Sequence, residues 1–184
     1  KSSAENLKKE NLQQNVFLSG DIMLDAFIKF NQKKSSVDLD FSDSDFILST
    51  IHRRENLNSP EKLKEIFNNL DLINEEKKIV MPLHPHTAQK IKDYKIKSNV
   101  TFIKPLGYIS NLSLLEKCSF VITDSGGLQK ESFFAKKKCL IIRNQTEWIE
   151  LISKKINLLS NQKDIFNNYK KLIQRKVKFS NNLF

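Results

Sequence analysis

From residue 45 onward, short apolar, β-prone runs alternate with segments that are apolar along one side only. The runs lie at 45–51, 78–83, 100–106, 120–123 and 138–143. Their brevity and continuous apolarity predict strands buried on both faces. Between them the period changes. Leu63, Ile66, Phe67 and Leu70 fall at i, i+3, i+4 and i+7, with Ser59 placed to cap the helix and Pro60 at its first position. A second such stripe, Ile165, Phe166, Tyr169, Leu172 and Ile173, predicts a helix near the C-terminus. Strand and helix in repeated alternation argue for right-handed βαβ units. The predicted fold class is α/β, a three-layer α/β/α Rossmann-like sheet of about six parallel strands. Before residue 45 the pattern is weaker. Residues 16–19 suit one more strand and 22–30 a helix, while 32–44 is polar and reads as a loop. The chain divides accordingly into 1–44, a 45–163 Rossmann-like domain and a 164–184 C-terminal helix.

Composition narrows the class. The chain has 184 residues with 39% apolar and 28% charged positions, which is enough for one core without a disulfide framework or structural metal. Its longest apolar runs last only a few residues, so neither a membrane-spanning helix nor a signal peptide is expected and the cytoplasm is the default location. The two cysteines, Cys118 and Cys139, lack CxxC spacing and read as small core residues; no metal and no cofactor are implied. The chain opens on Lys1 rather than Met and is read as a fragment of a longer protein.

A net charge of +10 raises the question of nucleic acid. The basic runs at 136–138 and 170–178 carry no aromatic or arginine-rich pattern. They fit a helix-to-strand turn and the polar side of the last helix, so neither nucleic acid nor a membrane is an expected partner.

In an open parallel sheet, ligands bind beyond the carboxyl ends of the strands. The unusual polar motifs of this chain fall at those ends: His52-Arg53-Arg54-Glu55-Asn56, His84-Pro85-His86-Thr87, Gly107-Tyr108, Asp124-Ser125-Gly126-Gly127, and the segment from Arg143 through Thr146 to Glu147. Three of the four glycines lie there as well. Gly126-Gly127, following a strand and opening a helical pattern, leaves backbone N–H groups free for a phosphate. With Gln129 and Glu131 on the same helix and Arg53 and Arg143 nearby, the group reads as an anion site with a sugar contact beside it. His52 and His84 at adjacent strand ends are candidates for a phosphate or pyrophosphate. Ser125 lacks the GxSxG elbow of a serine hydrolase, and the histidines lack HExxH spacing.

The segments Thr50-Ile51-His52-Arg53-Arg54-Glu55-Asn56, Pro82-Leu83-His84-Pro85, Thr123-Asp124-Ser125-Gly126-Gly127-Leu128-Gln129-Lys130-Glu131 and Arg143-Asn144-Gln145-Thr146-Glu147 resemble, in order and spacing, the second half of the non-hydrolysing UDP-N-acetylglucosamine 2-epimerases. Glu5-Asn6-Leu7, Leu18-Ser19-Gly20-Asp21 and Asp25-Ala26 resemble the crossover into that family's C-terminal domain, which gives 1–44 its role. The resemblance implies the C-terminal half of a glycosyltransferase-B-like fold, with a UDP-sugar substrate, a missing N-terminal domain and a homodimer as partners. It implies that Ser125, Gly126 and Gly127 bind the diphosphate, that Glu131 binds the ribose hydroxyls and that His52 is catalytic. Arg53, Arg54, Glu55, His84, Tyr108, Arg143, Thr146 and Glu147 are implied to bind substrate, with Arg53 and His84 near a second nucleotide-sugar site.

The implied reaction inverts C2 of the sugar by elimination and re-addition of UDP, in surface polysaccharide synthesis. The alternatives are the nucleotide-sugar half of a glycosyltransferase or a non-catalytic remnant. Four positions depart from the family pattern. Lys130 stands where Glu is usual, Trp148 where Arg is frequent, and Lys155 and Asn58 where Gly is expected. A left-handed backbone at Lys155 costs on the order of 1 kcal/mol, and Asn58 tolerates that conformation better.

Overall fold

The computed structural model describes residues 2–33 and 45–179. Six strands form one sheet: β1 Ile47–Thr50, β2 Ile79–Pro82, β3 Thr101–Ile103, β4 Phe120–Thr123, β5 Cys139–Ile141 and β6 Asn157–Leu159. Their order is β3-β2-β1-β4-β5-β6 and every neighbouring pair is parallel. The chain therefore builds outward from β1 to β3, returns to the middle, and adds β4 on the other side of β1. That reversal leaves a crevice at the carboxyl ends of β1 and β4.

Period-two alternation decides which face each strand residue covers. Ile47, Ile79, Met81, Phe120, Ile122 and Leu140 point into one core, where Leu63, Ile66, Phe67, Leu70 and Ile73 of α4 (Pro60–Glu76) meet Ile165, Tyr169 and Leu172 of α9 (Ile165–Gln174). Their alternates, Leu48, Val80, Val121, Cys139 and Ile141, point to the opposite face. There they meet Phe27 of α2 (Ile22–Asn31), Leu112, Leu114 and Leu115 of α6 (Tyr108–Lys117) and Leu128 of α7 (Gly126–Phe134). The three layers expected from the sequence are present. Cys118 and Cys139 are buried small core residues with no disulfide between them; burial pushes the Cys118 thiol up to about 11. The remaining elements are α1 (Ser2–Lys9), the single turn α3 (Arg54–Leu57), α5 (Pro85–Asp93) and α8 (Ile149–Ser153).

Several expectations need correction. Residues 16–19 are not a strand, and Phe17 and Leu18 lie exposed in irregular chain. The sixth strand comes instead from β6, whose three residues start with a buried Asn and carry no strand-length apolar run. Helix α9 ends at Gln174, so only the first part of the basic 170–178 run lies on a helix; Val177 and Phe179 beyond it pack near Phe133, Leu151 and Ile156. Within the apolar stripe, Ile173 is 37% exposed, because its side lies away from the α4 contact that buries Leu172 and Tyr169. Of the polar stretch 32–44, residues 34–44 lie outside the described residues.

Asn58 needs no left-handed conformation: its φ is −83°, an ordinary helical C-cap. Lys155 does need one, with φ 58°. Its N–H donates to Ile152 O at 2.9 Å and the Ile156 N–H donates to Leu151 O at 3.0 Å, closing α8 as a Schellman turn with Ile156 packed on Leu151.

Candidate functional site

Asp124, immediately after β4, organises the crevice. Its carboxylate is fully buried and accepts the backbone N–H of His52 through both oxygens at 3.1 Å, the N–H of Arg53 at 2.9 Å and the Asn56 amide at 2.9 Å. Asn56 donates a second hydrogen bond to Ile142 O at 3.0 Å, at the end of β5. Arg53 Nε donates back to Asp124 O at 3.0 Å. Three strand-end loops are thereby tied to one carboxylate, and charge-assisted bonds of this kind are about twice as strong as neutral ones. The strands below are joined too: the Thr50 and Thr123 hydroxyls lie 2.6 Å apart, and Thr123 Oγ1 accepts the Ser125 N–H at 2.9 Å. Thr87 donates to Ile51 O at 2.6 Å, fixing α5 against β1.

Ser125 is the N-cap of α7 and its Oγ accepts the Leu128 N–H at 3.4 Å. Gly126 and Gly127 are the first two helical residues, where backbone N–H groups have no partner within the helix. At Gly126 the charged groups come close to the helix start: a Cβ there would lie 3.4 Å from both Arg53 Nη2 and Glu147 Oε2, in van der Waals contact with each.

Glu147 bridges the two arginines. Its Oε2 accepts from Arg143 Nη1 at 2.7 Å, and its Oε1 lies 3.4 Å from Arg53 Nη2. Arg143 also lies 3.3 Å from Glu55 through Nε, with its side chain only 6% exposed. The hydrogen bond from Arg143 holds the Glu147 carboxyl below the usual carboxylate range. Thr146 donates to Gln129 Oε1 at 2.5 Å and accepts the Trp148 N–H at 3.1 Å, so it positions the segment that carries Glu147.

Glu131 lies one turn beyond Gly127 on α7 and is nearly buried. Burial raises its carboxyl pKa, partly offset by a hydrogen bond from the Tyr108 hydroxyl at the start of α6. The Tyr108 phenol is itself pushed up to about 12, by burial and then by the Glu131 charge. Tyr108 meets Phe30 edge to face at 5.8 Å, beside an open hollow of about 360 Å³ lined by Phe30, Gly107, Tyr108, Ile109 and Ser110.

The two histidines lie together as their strand ends require, with ring centroids 6.0 Å apart. His52 is partly exposed with Nδ1 3.7 Å from Asp124. His84 caps α5, its Nδ1 accepting the His86 N–H at 3.2 Å, which leaves Nε2 as the proton-bearing nitrogen of the neutral ring. Arg54 is not gathered in. It is exposed on α3, and its side chain makes no hydrogen bond or ion pair among the described residues.

Two departures from the family pattern are satisfied by each other. Lys130 is buried, and its ammonium lies 2.6 Å from Asp21 and 4.1 Å above the Trp148 ring. Trp148 Nε1 donates to Gly126 O at 2.7 Å, and Asp21 caps α2 through the Met23 N–H at 3.0 Å. An ion pair and a cation–π contact thus tie residue 21, ahead of the sheet, to the helix start. Reading the sequence assigned no role to Asp124, Asn56 or Asp21. All three were present in the quoted motifs, but contacts between segments far apart in the chain leave no local pattern.

A doubly wound parallel sheet, with paired arginines, a glycine-opened helix and a buried carboxylate at its switch point, defines a Rossmann-like domain with a crevice built for ligand. The chain belongs to the UDP-N-acetylglucosamine 2-epimerase family, whose model matches residues 1–183. It is 37% identical over 180 residues to a UDP-N-acetylglucosamine 2-epimerase homolog of Methanococcus maripaludis, covering 90% of this chain and 50% of that protein. It is 39% identical over 159 residues to the UDP-2,3-diacetamido-2,3-dideoxy-D-glucuronate 2-epimerase of Pseudomonas aeruginosa, covering 84% and 45%. Its fold superposes on the Methanocaldococcus jannaschii UDP-GlcNAc 2-epimerase, solved in complex with UDP-GlcNAc and UDP, with TM-score 0.83 at 27% identity, covering 98% of this chain and 54% of that one. The chain spans about half the length of the curated relatives it matches. Among the described residues, no helix is long and apolar enough to cross a membrane.

Proposed function

We propose that this chain is the UDP-binding half of a UDP-sugar 2-epimerase. The observation that carries the reading is the convergence, at the β1–β4 switch point, of the Ser125-Gly126-Gly127 helix start, Arg53, Arg143 and the buried Glu131. The diphosphate takes the helix start and the arginines, Glu131 accepts from the ribose hydroxyls, and the hollow beside Tyr108 gives room for the base. In the full reaction a base removes the C2 proton as UDP leaves, forming a glycal, and UDP then re-adds with C2 inverted. Arg53, Arg143 and the helix start stabilise the charge that develops on the departing diphosphate. His52 and His84 lie on the sugar side of that crevice. The carboxylates for proton transfer come from a partner domain, and with it we place a cytoplasmic homodimer serving polysaccharide synthesis. The family membership sets aside the glycosyltransferase alternative.

The sugar is N-acetylglucosamine in one reading. The 39% identity to the diacetamido-glucuronate enzyme favours a second. C2–H exchange in deuterated water, followed with both UDP-sugars on the enzyme completed with its other half, separates the two. The nucleotide site is tested on this chain alone by calorimetric titration with UDP, with binding expected in the high micromolar to millimolar range because half the contacts are absent. Glu131→Ala is expected to weaken it despite making the protein more positive. Unchanged or tighter binding, with the fold intact by circular dichroism, would contradict the assignment.

A further inference from the structure

The two arginines offered to a diphosphate are already occupied. Glu147 Oε2 accepts from Arg143 Nη1 at 2.7 Å, Glu147 Oε1 lies 3.4 Å from Arg53 Nη2, and the carboxylate lies against the side of Gly126 that has no Cβ. An anion at the mouth of α7, bridging two guanidinium groups, is the arrangement expected of a bound phosphate. Here the chain supplies it itself. The neighbouring groups explain why it can move. Arg53 is held independently through Nε on Asp124 O, and Arg143 retains Glu55 at 3.3 Å, so neither arginine depends on Glu147 for its position. The Glu147 side chain is 49% exposed, with solvent to move into.

We propose that Glu147 is an internal stand-in for phosphate, which any anion must displace to reach the arginines, and that it thereby keeps weakly binding small anions off the site. The proposal rests on the nucleotide-site reading above and assigns Glu147 a role opposite to that of a substrate contact. Inorganic phosphate or pyrophosphate gains the arginines but not the ribose contact at Glu131, and must still expel the carboxylate. UDP brings further contacts that offset the expulsion. The cost of expulsion is common to both, so it lowers both affinities by a similar factor and leaves only the ligand with further contacts bound at a given concentration.

The test is calorimetric titration of wild type and Glu147→Gln with UDP and, separately, inorganic pyrophosphate at fixed ionic strength. Removing one charge-assisted pair is expected to tighten pyrophosphate about ten-fold and UDP by a similar factor. Glu75→Gln makes the same charge change at the far end of α4, on the opposite edge of the sheet, and is expected to move both affinities less than about two-fold, which separates a local effect from net charge. Glu147→Ala repeats the measurement without an amide that could still reach Arg143, and serves if the Gln variant does not fold. Glu147 variants that bind either anion more weakly than wild type, or equally, overturn the proposal. If Glu131→Ala weakens UDP while the Glu147 variants change nothing, the stand-in alone fails. If Glu131→Ala has no effect on UDP, the nucleotide-site reading fails whatever Glu147 does.

Discussion

Asp124→Ala is expected to destabilise the domain more than any exposed substitution at the crevice. The residue is completely buried and serves three donors: the N–H groups of His52 and Arg53 and the side-chain amide of Asn56. A buried donor left without a partner costs about 1–3 kcal/mol. Asn56 is buried, so its loss is taken near the middle of that range, whereas water can reach the partly exposed His52 and Arg53 more readily. Removing the carboxylate also relieves its own desolvation, which offsets part of the loss. The net expectation is about 3 kcal/mol, a large share of the roughly 5–15 kcal/mol that holds a domain together. For a chain of this length it lowers Tm by about 6–12 °C. Asp124→Asn keeps one acceptor oxygen but turns an NH2 toward a donor, and is expected to cost about half as much. Urea unfolding followed by circular dichroism at pH 7 gives the free energies. A loss below about 1 kcal/mol for Asp124→Ala, at unchanged m-value, would refute the claim that this carboxylate ties the three loops together.

Other substitutions test separate parts of the account. Lys155→Gly relieves the left-handed strain at φ 58°, worth about 1 kcal/mol. The greater freedom of glycine in the unfolded chain offsets about half of that, leaving about 0.5 kcal/mol of stabilisation, seen as a rise of about 1–2 °C in Tm. Glu131→Gln is expected to separate stability from binding. Burial raises the folded pKa of Glu131 above its ordinary 4.5, so the folded state holds the proton longer and loses stability as pH rises from 4.5 through the raised value. The Gln variant lacks this loss. Its stability advantage over wild type is expected to grow across that window and then level off, while UDP binding weakens; an advantage that shrinks as pH rises would contradict the desolvation argument.

Much of the sheet was legible because parallel strands buried on both faces announce themselves as apolar runs. Ile47 and Leu48 are the simplest instance: adjacent, both fully buried, and serving opposite cores. β6 was not legible, since its three residues begin with a polar Asn157 that is buried only by its neighbours. The exposed Phe17 and Leu18 misled in the opposite direction, because an apolar run says nothing of what covers it. At the site, glycine economy and strand-end polarity located Ser125, Gly126, Gly127 and the paired arginines. The roles of Asp124 and Asn56 depended on hydrogen bonds spanning 68–86 positions, beyond the reach of spacing arguments. Lys130 and Trp148 looked like two independent departures until the Asp21 carboxylate showed them to be one arrangement.

The central claim is that a UDP diphosphate binds at the start of α7 between Arg53 and Arg143, and backbone amide chemical shifts measure it most directly. Titrating the 15N-labelled chain with UDP is expected to shift the amides of Gly126, Gly127 and Leu128, with the Arg53 and Arg143 Nε–H signals, in a saturable manner that persists at raised salt. Shifts spread instead over the lysine-rich 136–138 and 170–178 segments, fading with salt and leaving Gly126 and Gly127 unmoved, would contradict it.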